Sequence, residues 1–567
     1  MPAKKIGDAR QSQLVSTYGV GSLYPAEDQS YMVMGTEYWP PFAPRLDEPR
    51  LARALGVKHF KSPAAGGSAD VPVTPFPLTH YCPRCHVLGA VYTIGDDKSW
   101  CARCNRSRLV PSRFVACCDA GHIEDFPYFG WVHGGEDRSV AESEHQLTLR
   151  IKGESSSLSD IVIGCSCGAA PKSLNGAFGP NALATVRSCK GRRPWLETDD
   201  ESCDRPLRAL QRGSSNVWFA SMRSTISIPP WSTAAAAWVE RHWTTLEHVP
   251  DDILASVLAP MVATSPGVSV EAVRAVIADR RGLATGHQPS EDELRRDEFS
   301  ALRLGTMGAS AHDTFICEPE TVAEGIAAVV AQVSTVHRLR EVRAIEGFSR
   351  VTPHVPDGKV KKAPLSQAAL DWLPALEVHG EGIFVRLDEA LLTSWEGRNS
   401  VRVRVRTLNE AKDRRDREYE RPESAPVLAR TVALHTMSHL LLNELSLHAG
   451  YPASALRERL YDAPDQAGIL VYTASSDSAG SLGGLAALAK EDVFAPIWTA
   501  AVERGRWCSS DPVCAESFGS GTDNLNLAAC HACLLLPETS CENRNAFLDR
   551  VCVVGSDDVP DAALFPA

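Results

Sequence analysis

No Gly-x4-Gly-Lys-Ser/Thr loop occurs anywhere in the 567 residues, which excludes the common cradle for nucleotide phosphates. No apolar run is long enough to span a bilayer, so a membrane is not among the expected partners. The polar, lysine-bearing stretch from Met1 to Arg10 holds no apolar segment of the export-signal kind. Positive charge is not in excess either. With 58 Lys and Arg against 70 Asp and Glu, the formal charge is −12, which argues against coating nucleic acid by bulk electrostatics. Local basic tracks remain open, and these are what phosphate contact requires. What the chain does have is cysteine, 17 in all. Without an export signal these point to metal thiolates rather than disulfides, and the expected compartment is the cytoplasm. A hydrophobic content of 44% and a charged content of 23% are those of a globular protein, long enough for two to four domains.

The cysteines are densest near the end, where Cys508, Cys514, Cys530, Cys533 and Cys541 stand between Trp507 and Arg550. The Cys530-His531-Ala532-Cys533 knuckle places two thiolates about one tetrahedral edge apart, and a second pair completes a zinc site. Five cysteines compete for four positions, so one is a spectator. Nearer the start, Cys82-x2-Cys85 and Cys101-x2-Cys104 have the spacing of a zinc ribbon, two knuckles gripping one ion. Between these regions lie Cys165, Cys167, Cys189 and Cys203. The simplest grouping makes those four another zinc site, with Cys118 and His122 as substitutes, for two to three zinc ions in total. A different chemistry is conceivable around Cys118, His122, Glu124 and Asp125. A metal with an open position and a general base there would make a zinc-dependent nuclease or hydrolase.

Basic residues gather in two places. Arg187 to Arg223 holds eight Lys/Arg against five Asp/Glu, interleaved with Trp195, Trp218 and Phe219. Arg192, Arg193 and Arg212 are its candidate DNA contacts, since a single strand offers phosphates to charges and bases to rings. Core aromatics beneath a solvated face would give the same pattern. Val401-Arg402-Val403-Arg404-Val405-Arg406 alternates with period two, which predicts a strand with Arg402, Arg404 and Arg406 on one face, a phosphate track or an edge charged against aggregation.

The middle of the chain changes character. Thr233–His248, Asp251–Val262 and Val268–Arg281 carry apolar residues at helical spacing, and Ser290 to Glu293 is a capping-box start. A further helix is predicted from Thr321 to about Val342. Leu376–Leu387 reads as strands, Ala425–Ala449 as an apolar helix stopped by Gly450, and Gly468–Tyr472 as a buried strand. Ser475 to Ser481 forms a small polar loop after that strand, and Asp357 to Lys362 a short basic one. His435 and His439 stand one helical turn apart at metal-ligand spacing; without a Glu after His435 they read as core or interface histidines.

The run Cys530 to Cys541 with Asn545 and Leu548-Asp549-Arg550 resembles the zinc-binding domain of helicase-associated proteins. Leu434 to His439, Gly450-Tyr451, Arg457 to Tyr461, Ser481 to Leu485, Ser16 to Ser22, Cys189 to Leu196, Gln211 to Asn216 and Gly347 to Arg350 extend the likeness. Together they are similar to the zinc-binding subunits of bacterial DISARM anti-phage systems. The resemblance implies a non-catalytic accessory subunit that forms a heterodimer with a DrmA-like helicase subunit. It would help that partner bind DNA, single-stranded or with an overhang, and hydrolyse ATP. The expected fold is α+β and multidomain: a zinc-ribbon-like module over 1–230, a helical region over 231–345 and an α/β zinc-binding domain over 346–567.

Overall fold

The computed structural model describes residues 5–27, 29–64, 70–96, 99–135, 145–153, 157–263, 265, 268–282, 288–306, 313–354, 361–418, 421–422, 424–473 and 484–566. The polar loop at 475–481 and most of the basic loop at 357–362 lie outside the described residues. The fold mixes helices and sheets, α+β as the sequence implies. The chain divides into two units, one of residues 1–46, 60–223 and 344–376, the other of 47–59, 224–343 and 377–567.

The first unit is rich in short strands. Its largest sheet runs in the order Lys172–Ser173, Ile161–Cys165, Leu147–Ile151, Val87–Ala90, Thr79–Tyr81, Val110–Pro111. A second sheet places Phe114–Cys117 between Ile123–Asp125 and Arg208–Gln211, all antiparallel. Arg350 is fully buried here and acts as a pin. Its guanidinium donates to the carbonyls of Gly121, Val217 and Gly21 at 2.9, 2.7 and 2.7 Å. Burial holds its pKa down at about 10. Gly21 is required at its position: φ is +78°, and a Cβ would meet the Phe348 ring at 2.4 Å. Two stretches of the family likeness, Ser16–Ser22 and Gly347–Arg350, therefore touch.

In the second unit the helices Ala234–Leu246, Asp251–Val262 and Val270–Gly282 pack on one another through Trp238, Leu258 and Ile277. The helix Glu291–Leu304 starts with the expected capping box, Ser290 and Glu293 each satisfying the other's backbone amide. A sheet orders the strands Val330–Ser349, Trp372–Leu387, Gly468–Thr473 and Leu456–Tyr461, and of the first two only residues 330–343 and 377–387 belong to this unit. Against it lies the helix Ala429–Ala449, ended by Gly450 in the left-handed conformation. Arg430, Val432 to Leu442, Glu444 and Leu445 are all buried, so this helix is a central core element rather than an amphipathic cover.

Two elements differ from expectation. Residues 330–349 form a strand, not the end of a helix over 321–342. Val330, Val333, Thr335, Val336 and Val342 are β-branched and stiff, and a strand buried on both faces imitates helical apolar spacing. Conversely, 401–406 is not a strand; it lies in the helix Asn399–Glu418. Val401, Arg404, Leu408 and Ala411 face inward at 3-4-3 spacing, which overrides the Val-Arg alternation. Arg402, Arg404 and Arg406 therefore do not share a face. Arg402 and Arg406 are exposed one turn apart, whereas Arg404 is buried.

Candidate metal centres

Among the described residues, five groups of four side chains bring their ligand atoms within 4.8 Å of one another. The ribbon Cys82, Cys85, Cys101 and Cys104 assembles as its spacing predicts. The Thr79–Tyr81/Val87–Ala90 hairpin carries the first knuckle. Cys82 Sγ lies 3.7 Å from Cys104 Sγ, and Cys85 Sγ 3.5 Å from Cys101 Sγ. A tetrahedron with Zn–S bonds of about 2.3 Å has edges of roughly 3.8 Å, so the four thiols fit one zinc ion. Burial opposes charge on Cys82, but amide donors from Cys85 and Arg84 and the neighbouring thiols outweigh it and bring the thiol down to about 7. Burial, with the thiols of Cys101, Cys82 and Cys104, pushes Cys85 up to about 12.

The C-terminal set is Cys508, Cys514, Cys530 and Cys533, with Sγ separations of 3.5 Å for Cys508–Cys530, 3.8 Å for Cys514–Cys533 and 3.7 Å for Cys530–Cys533. Cys541 is the spectator of this set. It lies instead beside His435, His439 and Glu458.

The grouping of Cys165, Cys167, Cys189 and Cys203 as one site is corrected. Cys189 and Cys203 meet Cys118 and His122, while Cys165 and Cys167 meet His133 and His145. The reason is topological. Cys165 ends a strand of the six-stranded sheet, while Cys118 directly follows the end, at Cys117, of a strand of a different one. In the first set His122 Nδ1 is 3.3 Å from Cys118 Sγ and 3.5 Å from Cys189 Sγ, and its Nε2–H donates to Glu201 Oε1 at 2.6 Å. A carboxylate holding the far nitrogen of a ligand histidine is the usual outer support of a zinc site. The hydrogen bond with Cys189, assisted by His122, lowers the Cys118 thiol to about 4 against the opposing effect of burial. In the second set His133 Nδ1–H donates to the Phe129 carbonyl at 2.8 Å and its Nε2 faces Cys167 Sγ at 3.4 Å. His145 Nδ1 lies 3.2 Å from Cys165 Sγ. The contact with His133, with the Ala169 amide, lowers Cys167 to about 6. His133 and His145 carry no local spacing signal. Their only trace in the sequence is a Cys-x-Cys pair without a second knuckle.

The two carboxylates of the alternative hydrolytic centre are engaged elsewhere. Glu124 is buried in an ion pair with Arg187, and Asp125 accepts the amides of Leu78 and Thr79 at 3.4 and 2.7 Å. Cys117, Cys317 and Cys552 lie outside all five groups and are buried.

Of the basic candidates, Arg192 is exposed and 3.5 Å from Asp200, and Arg193 pairs with Glu201 at 3.0 Å. Arg212 is half-buried, its Nη1 without a hydrogen-bond partner, and burial lowers its pKa. Trp195 is fully buried, donating to the Pro364 carbonyl at 2.9 Å, and Trp218 donates to Val20 at 3.0 Å; both serve packing rather than a stacking platform. Among the described residues no helix is long and apolar enough to cross a membrane.

Clusters of four side chains that fit zinc, repeated through both units, define a zinc-binding protein. Residues 437–534 match the family described as the MrfA Zn-binding domain, a span containing the whole C-terminal four-cysteine set. Residues 10–219 match a domain of unknown function, DUF8724, which spans the three N-terminal clusters. A DISARM protein DrmB of Bacillus paralicheniformis is 30% identical, over 94% of this chain and 97% of its own length. The chain belongs to the DrmB family of DISARM proteins.

Proposed function

We propose that the chain is a non-catalytic subunit of a DISARM anti-phage complex, partnering a helicase and helping it bind DNA and hydrolyse ATP. The observation that carries this reading is the closure of the metal centres: each Cys-rich set supplies four protein ligands. A closed site leaves no position for the activated water of a metallohydrolase. The lack of a Gly-x4-Gly-Lys-Ser/Thr loop supports placing nucleotide turnover on the partner.

DNA contact has two supports. A cleft of about 440 Å³ on the six-stranded sheet is lined by Arg103, Arg150 and Lys152, with no carboxylate among its lining residues. The exposed Arg402 and Arg406 add a basic stripe on the Asn399–Glu418 helix, and Arg192 contributes a further exposed guanidinium. Arg404 has no part in it.

The test is co-purification with a DISARM helicase subunit, followed by ATPase assays with overhang DNA. Expected are a stable heterodimer, higher ATP turnover than the helicase alone, and none from this chain alone. Failure to co-purify, or ATP or DNA hydrolysis that follows this chain through purification, overturns the reading.

A further inference from the structure

The fifth cluster lies in the core of the second unit. His435 and His439 are on the central helix, Glu458 is on the Leu456–Tyr461 strand, and Cys541 follows the four-cysteine segment. His435 and His439 are fully buried, and Glu458 and Cys541 retain 1% and 7% of their exposure. His435 Nε2 stands 3.1 Å from Cys541 Sγ and 3.2 Å from Glu458 Oε1, and His439 Nε2 stands 3.5 Å from the same oxygen. Bonds of about 2.0–2.3 Å to one ion would set N, O and S ligands roughly 3.3–3.8 Å apart.

We propose that these four side chains bind a zinc ion, in a closed tetrahedral site of two imidazoles, one carboxylate and one thiolate. His439 gives the strongest argument. Its Nδ1 is 2.9 Å from the Leu534 carbonyl, which can only accept, so Nδ1 carries the proton. In the neutral ring Nε2 is then a bare lone pair. It has no hydrogen-bond partner in a fully buried site, and it faces a carboxylate oxygen that also offers only lone pairs. Such an arrangement is costly unless a cation stands between them. His435 turns Nε2 toward both Cys541 Sγ and Glu458 Oε1, the placement of a ligand nitrogen.

The surroundings are those of a ligand set. Ser438 Oγ donates to Glu458 Oε2 at 2.5 Å, reserving Oε1 for the cluster, and the Glu542 amide supports Oε1 at 3.1 Å. The Asn545 amide donates to Cys541 Sγ at 3.1 Å, as amides do to metal thiolates. Charge also closes: a carboxylate and a thiolate balance a divalent ion between two neutral imidazoles, which makes full burial tolerable. Leu534, whose carbonyl orients His439, directly follows Cys533 of the four-cysteine centre. One peptide segment thus supports both ions.

The decisive measurement uses the full chain as purified with its zinc, crystallised and recorded on both sides of the zinc absorption edge. An anomalous peak amid the four side chains is expected. A wild-type map with a peak at the four-cysteine centre and none here overturns the proposal. Metal analysis supplies an independent reading. Glu458→Gln should carry one zinc per chain fewer than wild type, and Glu458→Gln combined with Cys514→Ser two fewer. Equal zinc in wild type and in soluble Glu458→Gln leaves only a hydrogen-bonded core network; if the variant is insoluble, the wild-type map decides.

Discussion

Arg404 grips Asp549 in a two-pronged, buried ion pair, Nε to Oδ2 at 2.6 Å and Nη2 to Oδ1 at 2.9 Å. Asp549 also accepts the amides of Ala528 and Val551, capping the Arg550–Val554 helix. Removing one partner strands the other's charge in the core. Arg404→Gln is therefore expected to destabilise the second unit by roughly 3–5 kcal/mol, whereas Arg402→Gln and Arg406→Gln should each stay within about 0.5 kcal/mol. Thermal unfolding of the three variants checks the contrast, and equal melting temperatures would refute it.

The stripe and the cleft make separate predictions for DNA. Each phosphate neutralised on a single strand adds about 0.7 to the slope of log affinity against log salt. In the helicase complex, Arg402→Gln with Arg406→Gln should lower that slope by roughly 1.4. Arg150→Gln with Lys152→Gln should do the same for the cleft, with zinc content unchanged in both. A slope that stays at the wild-type value assigns the altered surface to solvent or to the partner.

Because each ligand set is closed on itself, zinc loss should be local and countable. Cys85→Ser is expected to release one equivalent and expose the ribbon to protease, while the C-terminal centre stays loaded. Elemental analysis combined with limited proteolysis reads both. Loss of all zinc from soluble Cys85→Ser protein would show that the centres are not independent.

Acid should act on Glu341 as well as on the metals. Burial opposes its charge, but Arg343, at 2.5 Å, and Arg459 hold the carboxyl at about 2. The folded value lies below the unfolded one, so its contribution is complete above about pH 4.5 and is lost as pH falls toward 2. The difference corresponds to about 3 kcal/mol. Glu341→Gln should melt below wild type at neutral pH, with a gap that narrows as pH falls through about 4. A constant gap would place the effect in packing alone.

How much was legible followed the distance over which information is stored. The ribbon and the Cys530/Cys533 knuckle are local spacings and were readable directly. His122 and Cys189 meet across 67 positions, and His435 and Cys541 across 106, so their pairing is decided by sheet order and helix packing. The helix Asn399–Glu418 was hidden for another reason. Arginine's long stem lets Arg404 occupy an inward position normally read as apolar, so the inward spacing that starts at Val401 looked like alternation. The helix Ala429–Ala449, with Gly450 as its stop, was plain because both its apolarity and its terminator are local.

The pin at Arg350 carries a consequence for synthesis. Its three carbonyl partners belong to residues 21, 121 and 217, all of which leave the ribosome well before residue 350 does. The first unit closes only with its third segment, 344–376, after the intervening stretch of the second unit has been made. Nascent chains shorter than this must wait with three carbonyls uncapped around an empty arginine socket. An early stop after residue 223 would yield the three N-terminal clusters without the residue that binds their scaffold together, so the two units are made interleaved rather than one after the other.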